Sequence, residues 1–180
     1  MPYHLPDAIA ILERTPTVLD AWLRGLPAGW IDADEGPETF NAFDSVGHLI
    51  HGERTDWMVR LGIILEHGEA RPFDRYDRFA QRRESAGKSL DDLLDEFAGA
   101  RRDNLHALRA LALTTDDLAR RGTHPVLGSV TAMELLAAWV VHDLGHVAQV
   151  ARVMAKRYAT DIGPWVRFLP VVSDRPRPAS

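Results

Sequence analysis

The chain has 180 residues, a mass of 20.1 kDa, 21 basic against 26 acidic side chains and a formal net charge of −5. That length suits one domain with a substantial apolar core, and the mildly acidic balance argues against nucleic acid or an anionic membrane surface as partner. The absence of cysteine removes disulfides, thiolate-bound zinc, iron–sulfur clusters and a cysteine nucleophile from consideration.

No apolar run approaches the roughly 18 residues of a membrane span, and no basic start followed by an apolar stretch marks a signal peptide. A cytoplasmic protein is expected. Apolar spacing predicts helices joined by loops. The first covers residues 7–26, with Ile9, Leu12, Val18, Leu19, Trp22, Leu23 and Leu26 on one face. Pro16 falls inside it, where it opens a second segment capped by Thr15 or kinks the helix. Pro27 and Gly29 end that helix, and residues 32–37 read as a loop. The second helix runs from residues 39–41 to about 66 and is stopped by Gly68. Residues 70–88 are polar and form a long excursion of the kind that often covers a site.

The third helix spans about 90–111, with Ser89 as N-cap, and residues 114–120 suit one short turn. Residues 122–128, containing Pro125, read as a break. Thr131 and Glu134 have the spacing of a capping box, which opens the longest helix, to about residue 158. Gly163 and Pro164 end the helical region, and the proline-rich residues 171–180 read as a flexible tail. One helical domain over residues 1–170 follows, with four long helices and connections of unequal length: an all-α four-helix bundle.

His142 and His146 lie four residues apart on the last helix. At about 3.6 residues per turn both imidazoles project from one face. That face, with Leu135, Trp139, Gln149 and Val153, should point inward. Buried imidazoles need partners for their ring nitrogens, and a divalent metal supplies one if a third ligand arrives from elsewhere. Hydrogen bonding to neighbours in a polar pocket is the other explanation, and the pair alone favours it. On the second helix, the strongest apolar stripe holds Val46, Ile50, Trp57, Leu61 and Ile64 with Glu53 among them, whereas His48 lies off its centre. The wheel does not choose between His48 and Glu53 as third ligand.

Glu53 also suits an ion pair with Arg102 or Arg152, or general-base duty. His51 reads as an outer neighbour of the site or a surface residue, and His67 as a ring at a helix end. His4, His106 and His124 read as solvated. Trp57, Trp139 and Trp165 read as core or pocket walls.

Residues 40–57, FNAFDSVGHLIHGERTDW, and 142–149, HDLGHVAQ, resemble the two motifs of the DinB/YfiT-like superfamily. In the first, an aromatic residue precedes a histidine of a His-Leu pair by eight positions, and a glutamate follows that histidine after five. Phe40, His48, Leu49 and Glu53 fit. The second is a His-x-x-x-His motif with a trailing glutamine, and the resemblance continues through Arg152 to Trp165. It implies an up-down-down-up bundle, commonly a homodimer, in which His48, His142 and His146 hold one divalent metal ion, nickel or zinc foremost and iron as a further option.

The superfamily includes thiol S-transferases that use low-molecular-weight thiols. Three protein ligands leave an open coordination position, as in catalytic sites, where a coordinated thiol or water loses its proton more readily. With no cysteine of its own, the chain would need an external thiol. The expected activity is therefore metal-dependent transfer of a low-molecular-weight thiol to a small electrophilic substrate. Glu53 and Asp143 are candidate catalytic residues, and Gln149 and Trp57 candidate pocket residues. Metal-dependent hydrolysis and a non-catalytic metal-binding module are the alternatives.

Overall fold

Pro16 divides the first helix. In the computed structural model, which describes residues 3–174, α1 (Leu5–Leu12) and α2 (Arg14–Leu23) meet at Glu13. Proline has no N–H to offer the carbonyl four residues back, which here is that of Leu12. The Arg101 guanidinium donates to that carbonyl instead, at 2.7 Å. Thr15 does not cap the second segment: its hydroxyl turns back to the Ile11 carbonyl at 3.5 Å. A single turn, α3 (Ala28–Ile31), follows.

The second helix is likewise two segments, α4 (Ala42–Thr55) and α5 (Trp57–His67), where one continuous helix was expected. The break is confined to Asp56, at φ −115° and ψ −81°. The Thr55 hydroxyl bonds back to the His51 carbonyl at 2.8 Å, a habit that bends helices, and the Asp56 carboxylate pairs with Arg60 at 2.6 Å. Backbone bonds from Asp56 to Gly52 and from Arg60 to Asp56 persist across the break. The apolar stripe therefore stays in phase through the break.

The excursion after α5 opens with a 3-10 turn, Gly68–Ala70, and contains a short α-helix, α6 (Ala80–Glu84). Then come α7 (Leu90–Ala110), α8 (Thr115–Ala119) and α9 (Ala132–Lys156), each opened by a capping box: Ser89 with Asp92, Thr114 with Asp117 and Thr131 with Glu134. Between α8 and α9 the expected break is a hairpin of β1 (Arg121–His124) and β2 (Gly128–Thr131), antiparallel with Arg121 opposite Thr131 and His124 opposite Gly128. Four-residue strands without apolar alternation leave little signal in a sequence. Gly122 lets the hairpin reach the bundle, since a Cβ there would lie 2.7 Å from Ile64.

Two apolar clusters fill the bundle. One gathers Leu12, Leu61, Ile64, Leu108, Leu136 and Trp139; the other gathers Leu19, Leu23, Val46, Leu49, Leu93, Phe97 and Val150. Arg101 touches both, its guanidinium 4.9 Å from the Phe97 ring centre and 5.1 Å from that of Trp139. It is 1% exposed.

Glu53 Oε1 accepts from Arg101 at 2.7 and 3.1 Å and from Trp139 Nε1 at 3.1 Å, and Oε2 accepts from Asn104 at 3.0 Å. Asp143 takes the remaining side of the guanidinium at 2.6 and 3.1 Å. Burying three charges is costly unless every donor and acceptor is met, and here each carboxylate oxygen has a donor.

The partner of Glu53 is thus neither arginine expected from the sequence. Arg102, about 100° further round α7, is exposed, and Arg152 pairs with Glu35 at 2.8 Å. Beyond α9, Gly163–Phe168 and Pro170–Val172 form 3-10 turns. Trp165 is 66% exposed there, so it walls neither core nor pocket. Of the tail expected over residues 171–180, residues 175–180 lie outside the described residues.

Two measurements test this packing. Arg101→Met leaves two buried carboxylates uncompensated and should cost about 3–5 kcal/mol in urea denaturation; a loss below about 1 kcal/mol contradicts the role given to the guanidinium. Hydrogen bonding from Arg152, reinforced by Lys156, lowers the Glu35 carboxyl from 4.5 to about 2 despite its burial. Because the folded value lies below the unfolded one, this stabilisation is present above about pH 4.5 and is lost as pH falls towards 2. Glu35→Gln should therefore be less stable than wild type at pH 7, by roughly 1–3 kcal/mol. The two unfolding free energies should converge in acid, and a gap that stays constant with pH refutes the pairing.

Candidate metal centre

His48 lies on α4 and is buried; His142 and His146 lie on α9, one turn apart. Packing of α4 against α9 brings their Nε2 atoms to a common point. His48 Nε2 is 3.2 Å from His142 Nε2, which is 3.2 Å from His146 Nε2. One donor atom from each ring can be chosen so that all lie within 4.8 Å of one another. Two nitrogens on a tetrahedral ion at about 2.0–2.1 Å stand roughly 3.3 Å apart, so this spacing fits a metal.

Ring-to-ring hydrogen bonding does not account for the arrangement equally well. An imidazole Nε2 carries either one proton or one lone pair, so that of His142 makes a single good bond to one of its two neighbours. A shared cation satisfies all three. Burial, together with the neighbouring imidazoles, lowers His48 and His142 to about 3. Burial also lowers His146, against the nearby Asp143 charge and a hydrogen bond to Gln149. Near neutral pH the rings hold lone pairs rather than charge.

The His48 ring is held from its other side. Tyr76 Oη lies 3.3 Å from His48 Nδ1 and 3.5 Å from the His48 carbonyl. With His48 protonated at Nδ1, the phenol accepts from the ring and donates to the carbonyl. That tautomer leaves Nε2 free to bind metal. Tyr76 belongs to the excursion after α5, which therefore walls the site. The same segment is tied down by Glu84, whose carboxylate oxygens lie 3.0 and 3.1 Å from His51 Nδ1.

The three histidines face a pocket of about 450 Å³. Phe40, Trp57 and Gln149 line it, as do Asp56, Arg60, Tyr76, Arg78 and His124. Gln149 and Trp57, the expected pocket residues, are both on its wall. His124 does not, because the hairpin brings it to the pocket wall and its Nδ1 accepts from the backbone N–H groups of Val126 and Leu127 at 3.1 Å. Glu53 and Asp143 sit behind the histidines, fully engaged with Arg101, and neither lines the pocket. Asp56 is the sole carboxylate among the lining residues, its pKa raised by burial against the pull of Arg60.

The residues missed in sequence reach the pocket through the break at Asp56, the loop after α5 and the hairpin. Only Phe40, eight residues before His48, carried a motif signal.

No curated protein matches the chain. Among solved structures it is similar to YfiT from Bacillus subtilis, described as a probable metal-dependent hydrolase with an unusual four-helix bundle topology. The TM-score is 0.70 at 19% identity, over 84% of this chain and 86% of that one. The likeness establishes a shared fold. The sequence profile of the DinB superfamily matches residues 11–150, and the chain belongs to that superfamily.

Proposed function

We propose that this protein is a metal-dependent enzyme that transfers a low-molecular-weight thiol to a small electrophile at the His48, His142 and His146 centre. One observation carries the reading: three neutral imidazole donors converge on the floor of an open pocket, and no fourth histidine or carboxylate joins them among the described residues. A purely structural ion would be expected to collect four protein ligands. A bound divalent ion supplies Lewis acidity, which lowers the pKa of a thiol or water at its open position.

The chain's residues then divide the remaining work. Tyr76 fixes the tautomer and plane of His48. The Arg101 network anchors the helices that carry the ligands. Asp56, the one carboxylate among the lining residues, is the group available to receive the thiol proton, and burial raises its pKa. Glu53 and Asp143 act as positioning residues, because every oxygen they have is already bonded. The sulfur forms its bond to the electrophilic carbon as the leaving group departs with the carbon's former bonding pair.

Hydrolysis at the same centre is the second reading, favoured by the description of YfiT. It differs only in the nucleophile, water in place of a thiol.

A fluorogenic bimane electrophile, offered with a panel of low-molecular-weight thiols to zinc- or nickel-loaded protein, separates the readings. Thiol-dependent turnover should fall at least about 100-fold in His142→Ala while the far-ultraviolet circular dichroism is kept. Turnover unchanged by that substitution contradicts a metal-centred reaction. Ester or amide cleavage without thiol, equally sensitive to His142→Ala, transfers the assignment to hydrolysis.

A further inference from the structure

We propose that Arg78 selects substrates bearing an anionic group, such as a carboxylate, and orients them towards the three-histidine centre. This rests on the reading of that centre as the reaction site. Two arginines line the pocket, and they differ in burial and in pairing. Arg60 is buried, paired with Asp56 at 2.6 Å and stacked over Phe73. Arg78 is exposed and has no carboxylate partner among the described residues. Nearby acids are committed elsewhere: Asp77 pairs with Arg83 at 2.8 Å, and Glu84 with His51.

The Arg78 side chain is nevertheless placed rather than loose. Its guanidinium lies 5.2 Å from the Phe40 ring centre and 5.3 Å from that of Phe79. Contact with aromatic faces holds a guanidinium plane while leaving its in-plane N–H donors available. Those donors match the fork of a carboxylate. Phe40 also touches both His48, at 5.2 Å, and His146, at 6.4 Å between ring centres. One aromatic ring therefore separates the cation from two of the three metal-ligand candidates. A small molecule with an anionic end and a nucleophilic or electrophilic end can span that distance inside the pocket.

The test uses 3-mercaptopropionate and its neutral isostere 3-mercaptopropanamide, titrated calorimetrically into zinc-loaded and metal-stripped protein. Wild type should prefer the acid by about tenfold or more, a hydrogen-bonded charge pair being worth that much. Added salt should shrink the preference. Arg78→Gln should abolish it while leaving the affinity for the amide unchanged, and Arg78→Lys should restore part of it. Equal affinity for the two probes in wild type, or no measurable binding of either, overturns the proposal. So does a preference that survives Arg78→Gln.

Failure of the metal-centre reading gives a different pattern. Both probes would then bind equally with and without zinc, and the acid preference would still respond to Arg78.

Discussion

Arg101 enters the bundle from α7 and its guanidinium closes on Glu53 of α4 and Asp143 of α9, out of reach of water. Glu53 lies five residues after His48, and Asp143 is next to His142. A shift of either helix along its axis would break a charged hydrogen bond in a low-dielectric interior, where an unpaired charge is most costly. The same ion pairs therefore fix the relative register of the two helices that supply the metal-ligand candidates. Pro16 contributes from a third direction by freeing the Leu12 carbonyl for the guanidinium. The polar network is thus a register device, and its apolar surroundings make deviation expensive.

In front of that network the chemistry changes character. The imidazoles, His48 buried and His142 and His146 half-buried, are uncharged near neutral pH, which suits them to a cation and not to ion pairing. The pocket above them is walled by elements outside the four long helices: the segment after α5, which brings Tyr76 and Arg78, and the hairpin, which brings His124. Rigid helices place the three histidines, and loops define what can approach them. That division is common in enzymes.

The sequence made some of this legible and left the rest hidden. Spacing of apolar residues located α4, α7 and α9, because an inward face repeats every three or four residues. The N-cap at Ser89 and the capping box at Thr131 have fixed offsets and were readable for the same local reason. The break at Asp56 was not, since the apolar stripe continues unbroken through it. The hairpin lacked alternation over strands too short to show any. The third ligand could not be chosen from a wheel, because His48 and Glu53 both lie on inward parts of α4 and their division of labour depends on α7. Only the distant Arg101 decides that Glu53 is a structural anion. Tyr76 and Arg78 sit in a polar loop, where no periodicity distinguishes a residue facing the site from one facing solvent.

The most direct measurement is a crystal structure of protein purified without an affinity tag and supplied with nickel or zinc, with anomalous scattering recorded at the metal edge. The account predicts one anomalous peak about 2.0–2.2 Å from the Nε2 atoms of His48, His142 and His146, open on the side lined by Tyr76 and Arg78. Three rings bonded only to one another or to water, with no peak after metal is added, would contradict it.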